Sequence, residues 1–165
     1  MARPSKPAVD NDKVVASNRQ ARRNYEILDT VEAGIVLRGS EVKSMRESKV
    51  QIAEAFGRID DHGEVWLHGM HVAHYSHSGV ADTHPNERQR KLLLNRHEIE
   101  RLRPRVEQEH LSLVPLSVYF KGGRVKVELG LGRGRKSYDK RQVIATRDAD
   151  REAARAMSHR HRASG

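Results

Sequence analysis

The sequence predicts a mainly β protein: a closed or partly open antiparallel β-barrel with accessory helices, followed by a basic segment outside the core. Three observations carry this reading. First, LVPLSVYF and RVKVELGL alternate strictly, with Val114, Leu116, Val118 and Phe120 in one run and Val125, Val127, Leu129 and Leu131 in the next. Gly122-Gly123 between them is a two-residue hairpin signal. Second, several short β runs surround one inserted helical stretch in a chain of only 165 residues, and closing such a sheet removes its adhesive edges. Third, the alternation stops past Leu131. Beyond Arg133 the sizeable apolar side chains are Val143, Ile144 and Met157, besides Tyr138, too few to bury against a core.

In chain order, residues 1–17 are rich in Pro, Lys, Asp and Ala without period and read as a disordered leader. YEILDTVEAGIVL is β-leaning, with Gly34 marking a bulge or bend. In GSEVKSMRE, Ser40 is placed to cap a short helix, and Val42 and Met45, three apart, share a face. AFGRI and EVWLHGMHV flank the turn-forming DDHG and read as a hairpin. Asn86 to Arg103 is the clearest helical stretch. Leu92, Ile99 and Leu102 share a face with Leu93 beside it, Pro104 ends it, and VEQEH adds at most one more turn. DADREAARAMSHR has good helix formers, but an isolated helix of that length is marginal in water. The tail is therefore expected to be disordered when free and to order on a partner. The domain reading is a leader at 1–17, a barrel at 18–132 and a basic tail at 133–165.

The net charge of +9 is unevenly placed. Met1 to Arg23 carries +4, Leu131 to Gly165 carries +6, and the stretch between them −1. Basic arms around a neutral body point to a polyanionic partner, since counterion release from a phosphate backbone drives such binding; charge kept for solubility is the alternative. There is no cysteine, which excludes disulfides and thiolate metal sites and fits a reducing cytoplasm. No apolar run approaches a membrane span and MARPSKPAVD has no signal-peptide hydrophobic region, so no membrane association is expected.

The glycine-rich GLGRGRKSYDKR, Gly130 to Arg141, matches neither a Walker loop nor a dinucleotide fingerprint. Its glycines end a strand and let the backbone pass close to something, or simply flex. Arg133, Arg135, Lys136, Lys140 and Arg141 supply phosphate contacts, and Tyr138 offers a ring on which a base can stack. His68, His71, His74 and His77 recur at intervals of three. In a strand that spacing sends successive side chains to opposite faces, which argues for RNA contact or solvent exposure over a zinc shell. No nucleophile elbow, HExxH or paired aspartates are found, so no catalytic residue, metal or cofactor is assigned. Glu32 and Glu41 read as solvated acids or as acceptors for guanine donors or a ribose hydroxyl. Arg88, Arg90 and Lys91 are either a solvated helix face or phosphate contacts, and Lys126 alternates outward from Val125 and Val127.

Taken in order, Asn18-Arg19-Gln20-Ala21-Arg22, EAGIVLRGSEVKSMR, RKLLLNRHEIERL and LSVYFKGGRVKVELGLGRGRKSYDKR, with the final basic helix-like segment, resemble the SmpB family of transfer-messenger RNA (SsrA RNA)-binding proteins. The resemblance runs from Asn18 to about Met157 and implies an oligonucleotide-binding (OB)-type barrel whose tail folds on the ribosome. It implies a non-enzymatic role in trans-translation: holding the tRNA-like end of transfer-messenger RNA and delivering it, with elongation factor Tu, to the A site of a stalled 70S ribosome. By position, Glu32, Leu93 and Lys126 are implied RNA-binding residues, with Asn18, Arg19, Arg22, Lys43, Arg90 and Lys91 as further candidates on the same surface. Gly134, Tyr138, Asp139, Lys140 and Arg141 match the tail segment that meets the decoding centre, and Met157 a tail-helix position needed for accommodation. Tyr138 stands where some members have histidine, an exchange that preserves stacking. A monomer is expected. A generic single-strand-binding barrel is the competing reading; a nuclease would need turnover dependent on Glu32, Glu41 or the histidines.

Overall fold

A computed structural model describes residues 13–74, 85–135 and 137–163, with side chains described for 13–74, 85–135 and 144–158. The order is β1 (Val14–Ser17), α1 (Ala21–Asn24), β2 (Tyr25–Ile35), α2 (Gly39–Arg46), β3 (Val50–Gln51), β4 (Phe56–Ile59), β5 (Val65–His68), β6 (His71–Val72), β7 (Arg90–Leu93), α3 (Arg96–Glu107), β8 (Ser112–Lys121), β9 (Arg124–Gly134) and α4 (Ser137–Ala163). The main antiparallel sheet runs β1-β8-β4-β5-β7-β2-β9, and β9 pairs again with β8. β3 and β6 form a separate two-stranded ladder.

The long hairpin forms as its sequence dictates. Lys121 pairs with Arg124 across Gly122 and Gly123, whose φ values of 58° and 77° suit the tight turn that matches strand twist. Val125, Val127, Leu129 and Leu131 all face the main core. Their partners do not. Val118 and Phe120 join that core, whereas Val114 and Leu116 pack with Ala21 in a second cluster flanked by Tyr25 and Ile27. A register shift between Pro115 and Ser117 causes the split, because one extra residue inverts which face each side chain takes. β2 has its own shift between Ile27 and Asp29, so the bulge sits there and not at Gly34.

The stretch expected as one helix from Asn86 to Arg103 is two elements. Arg90–Leu93 is a strand between β5 and β2, and the helix begins only after Asn95, whose N–H donates to the Glu98 carboxylate at 3.0 Å. Leu92 and Leu102 are both buried, one from each element, so the shared apolar character mimicked a single helical face. Pro104 lies inside the last turns of α3; the Gln108 N–H still donates to its carbonyl at 2.8 Å. Ordered chain also starts earlier than the leader reading placed it, since Val14–Ser17 pairs with β8. α2 begins one residue before Ser40, with Met45 fully buried and Val42 partly so. β5 ends at Gly69, φ 76°, where an added Cβ would lie 2.7 Å from the Glu54 carbonyl oxygen. Strand β9 continues through Gly130 and Gly132 to Gly134, past the expected end at Leu131.

The tail backbone is helical over Ser137–Ala163. Its described side chains from Ile144 to Ser158 are all exposed, Met157 by 75%, so over those residues the helix docks no apolar face on the sheet. No helix among the described residues is long and apolar enough to cross a membrane.

Candidate nucleic-acid interface

The outward faces of β7, β2, β9 and β8 meet in one row. Leu93 pairs with Gly34, Gly34 with Lys126, and Lys126 with Tyr119. Gly34 contributes no side chain, and a Cβ there would sit 3.2 Å from that of Leu93, so the leucine lies over bare backbone. Leu93 is 52% exposed although it is a leucine in a central strand. Two residues before Gly34, on the same face, Glu32 accepts hydrogen bonds from the Tyr119 hydroxyl and from Lys121 Nζ at 3.3 Å. The Tyr119 hydrogen bond, reinforced by Lys121 and Lys126, holds the Glu32 carboxyl below its ordinary value, while burial, together with Glu32, pushes the Tyr119 phenol well up. Glu32 is therefore an ionised acceptor with a fixed orientation.

Glu32, Gly34, Leu93 and Lys126 line a groove of about 590 Å³ that also takes in Glu64, Lys91, Asn95 and Glu98. Lys91 Nζ is 3.1 Å from Glu64, and Lys126 has no ion pair among the described residues. The groove thus offers an apolar ledge, two ammonium groups and an oriented carboxylate. That set matches a ribonucleotide: a ledge for a base or sugar, cations for phosphates, and an acceptor for base N–H groups or a 2′-hydroxyl.

The structure brings Glu32, Lys91, Leu93 and Lys126 together and sorts the other candidates elsewhere. Arg90 is a correction: it is wholly buried and no surface contact is open to it. Its Nε is 2.6 Å from Glu41 Oε2, and its remaining nitrogens donate to the carbonyls of Met70, Arg88 and Asn86. Glu41, expected at the surface, is equally buried and also binds Arg88 and the Arg38 N–H. Burial pushes its carboxyl up, but these donors together outweigh it and hold the value below normal. Asn18 is buried too, its amide donating to the Ile52 and Pro115 carbonyls, so it ties strands together. Arg19 and Arg22 line a separate cleft of about 430 Å³ with Arg147 of α4 and Glu128. Glu128 is the register partner of Glu32, so this cleft adjoins the groove along β2 and β9. Lys43 is exposed on α2, outside the groove.

In the tail, Gly134 ends β9, while Tyr138, Asp139, Lys140 and Arg141 fall in α4 with side chains outside the described residues. Of the histidines, His68 stacks on Phe56, His71 Nδ1 is 3.7 Å from Glu87, and His77 lies outside the described residues. Sequence reasoning missed Tyr119 and Lys121. The signal was present, since a two-residue turn at Gly122-Gly123 fixes Tyr119 opposite Lys126.

The fold and groove define a small antiparallel β protein with an outward-facing polar and apolar cleft of ribonucleotide character. A family model described as "SmpB protein" matches residues 15–159, and the chain belongs to the SmpB family. It is 54% identical to the SsrA-binding protein of Mycolicibacterium smegmatis, over 94% of this chain and 95% of that one. It is likewise 54% identical to the SsrA-binding protein of Nocardia farcinica, covering 90% and 91%. A solved structure described as "tmRNA-SmpB: a journey to the center of the bacterial ribosome" aligns with TM-score 0.63 and 46% identity, over 80% of this chain and 94% of that chain.

Proposed function

We propose that this protein is a non-enzymatic RNA-binding factor of trans-translation, which grips the tRNA-like end of transfer-messenger RNA in the Glu32–Leu93–Lys126 groove and carries it to stalled ribosomes. The observation that carries this reading is the convergence of those three side chains, distant in sequence, in one groove on the outward face of three adjacent strands. The SsrA-binding names of its relatives and the pairing of transfer-messenger RNA with SmpB and the ribosome in the solved neighbour support the partners. The return of β9 to β8 supports an OB-type barrel. The tail is the ribosome-facing part: basic, helical in its backbone over Ser137–Ala163 and exposed from Ile144 to Ser158. Elongation factor Tu joins through the RNA, and the protein acts as a cytoplasmic monomer.

The test is a gel shift of transfer-messenger RNA and an unrelated tRNA across a salt series. Leu93→Ala and Lys126→Ala should weaken binding of the first RNA roughly 5- to 100-fold, as loss of a stacked or phosphate contact does. Lys126→Ala should also flatten the log–log salt slope by about 0.7–0.9. Full affinity in both variants would remove the groove from the account.

A further inference from the structure

We propose that the outer face of β4 and β5 is a second contact surface for the same RNA, a stacking platform for an unpaired base; the proposal rests on the groove being where that RNA is held. Phe56 and His68 are cross-strand partners whose rings are stacked, centroids 5.2 Å apart and planes 7° from parallel. Phe56 is 47% exposed, an aromatic ring presented to solvent on a strand whose own core is built from other residues. One row along, Arg58 pairs with Trp66, and Trp66 pairs with Lys91.

The orientation of these side chains follows from the strands. Val65, Leu67, Arg90 and Leu92 point inward and are fully or almost fully buried, so Trp66, His68, Lys91 and Leu93 point out. Trp66 is held in place, its Nε1–H donating to Asp60 at 3.1 Å. Arg58 is exposed and has no carboxylate partner among the described residues. The exposed ring is thus stacked on its cross-strand histidine, with a fixed indole and an exposed guanidinium one row along the same face. Base stacking flanked by phosphate-binding cations is the arrangement by which unpaired RNA is held.

Continuity with the groove decides the occupant. From Phe56 the outward face passes through Trp66 to Lys91, which lines the groove, and on to Leu93 and Lys126. Two inter-strand spacings separate Phe56 on β4 from Lys91 on β7, roughly 10 Å at about 4.8 Å each. Asp60 and Glu64 border this path but are engaged by Trp66 and Lys91. An RNA seated in the groove against Lys91 reaches Phe56 across β5, so the occupant is the transfer-messenger RNA itself rather than ribosomal RNA.

Trp66 is the single tryptophan of the chain, so its emission reports from this platform. The full-length protein is titrated with the tRNA-like end of transfer-messenger RNA, following Trp66 fluorescence and gel shift together. The proposal expects emission to change with the same midpoint as the shift, and Phe56→Ala and Arg58→Ala each to weaken binding roughly 5- to 100-fold. Phe56→Tyr should restore it. Unchanged emission at saturation, or full RNA affinity in Phe56→Ala and Arg58→Ala that retain wild-type melting, overturns the platform and leaves the groove standing. Normal RNA affinity with weakened binding to vacant ribosomes also overturns it, by assigning the face to another RNA. Failure of the groove itself reads separately, as full affinity in Leu93→Ala and Lys126→Ala.

Discussion

Two carboxylates that look alike in sequence have opposite fates, and the difference is which cations surround them. Glu41 is sealed with Arg90 beneath the sheet and closed over by Arg88. Removing one partner of such a pair strands a buried charge, so Glu41→Gln should cost about 3–5 kcal/mol in urea unfolding. Exchanging both Glu41 and Arg90 for apolar residues of similar volume should cost far less. Because the Glu41 carboxyl is held below its ordinary value of 4.5, its contribution is present above that value. It is lost as pH falls through the lower folded value, a drop that melting curves between neutral pH and strong acid would show and that Glu41→Gln would lack. Glu32 follows the same sign at the surface. RNA affinity should stay level down to about pH 5 and decline only in stronger acid, and Glu32→Gln should remove that decline.

At the level of elements, β7, β2 and β9 decide where the groove lies, and glycines set how closely neighbouring segments approach. A Cβ at Gly132 would meet that of Tyr25 at 2.9 Å, and one at Gly69 would press on a carbonyl oxygen from a positive φ. Gly132→Ala and Gly69→Ala should each destabilise by about 1–3 kcal/mol, measured by thermal unfolding. Gly130 and Gly132 of GLGRG therefore serve approach between this protein's own strands more than flexibility, whereas a Cβ at Gly134 would meet nothing within 4 Å. Much of this was legible: the Gly122-Gly123 hairpin, the DDHG hairpin and the inward valines of β9 follow from alternation and turn chemistry. The bulges were not, because a one-residue register shift leaves no mark on residue type, so Val114 and Leu116, read in one alternating run with Val118 and Phe120, pack on the opposite face. RKLL misled for a related reason: four residues flanked by helix formers have too few periods to separate a strand from a helix. Arg90 was misplaced with it, since only tertiary structure reveals that Glu41 and three carbonyls await it.

Over the whole molecule, charge and fold divide the labour. The near-neutral body carries the groove, where shape and a few placed groups act. The excess positive charge lies on the two ends, Met1 to Arg23 and Leu131 to Gly165, whose long-range attraction salt screens. Binding of RNA by the body and action of the tail on the ribosome should accordingly be separable. The cut belongs after Arg135, whose N–H donates to the Asn24 carbonyl at 2.8 Å and closes the end of β9. The most direct measurement pairs a gel shift of transfer-messenger RNA with a tagging assay on stalled ribosomes, using full-length protein and the chain ending at Arg135. The shortened protein should bind the RNA within a few-fold of full length yet yield no tagged product. Tagging that persists without the tail, or RNA binding that vanishes with it, would contradict the division between gripping body and ribosome-facing tail.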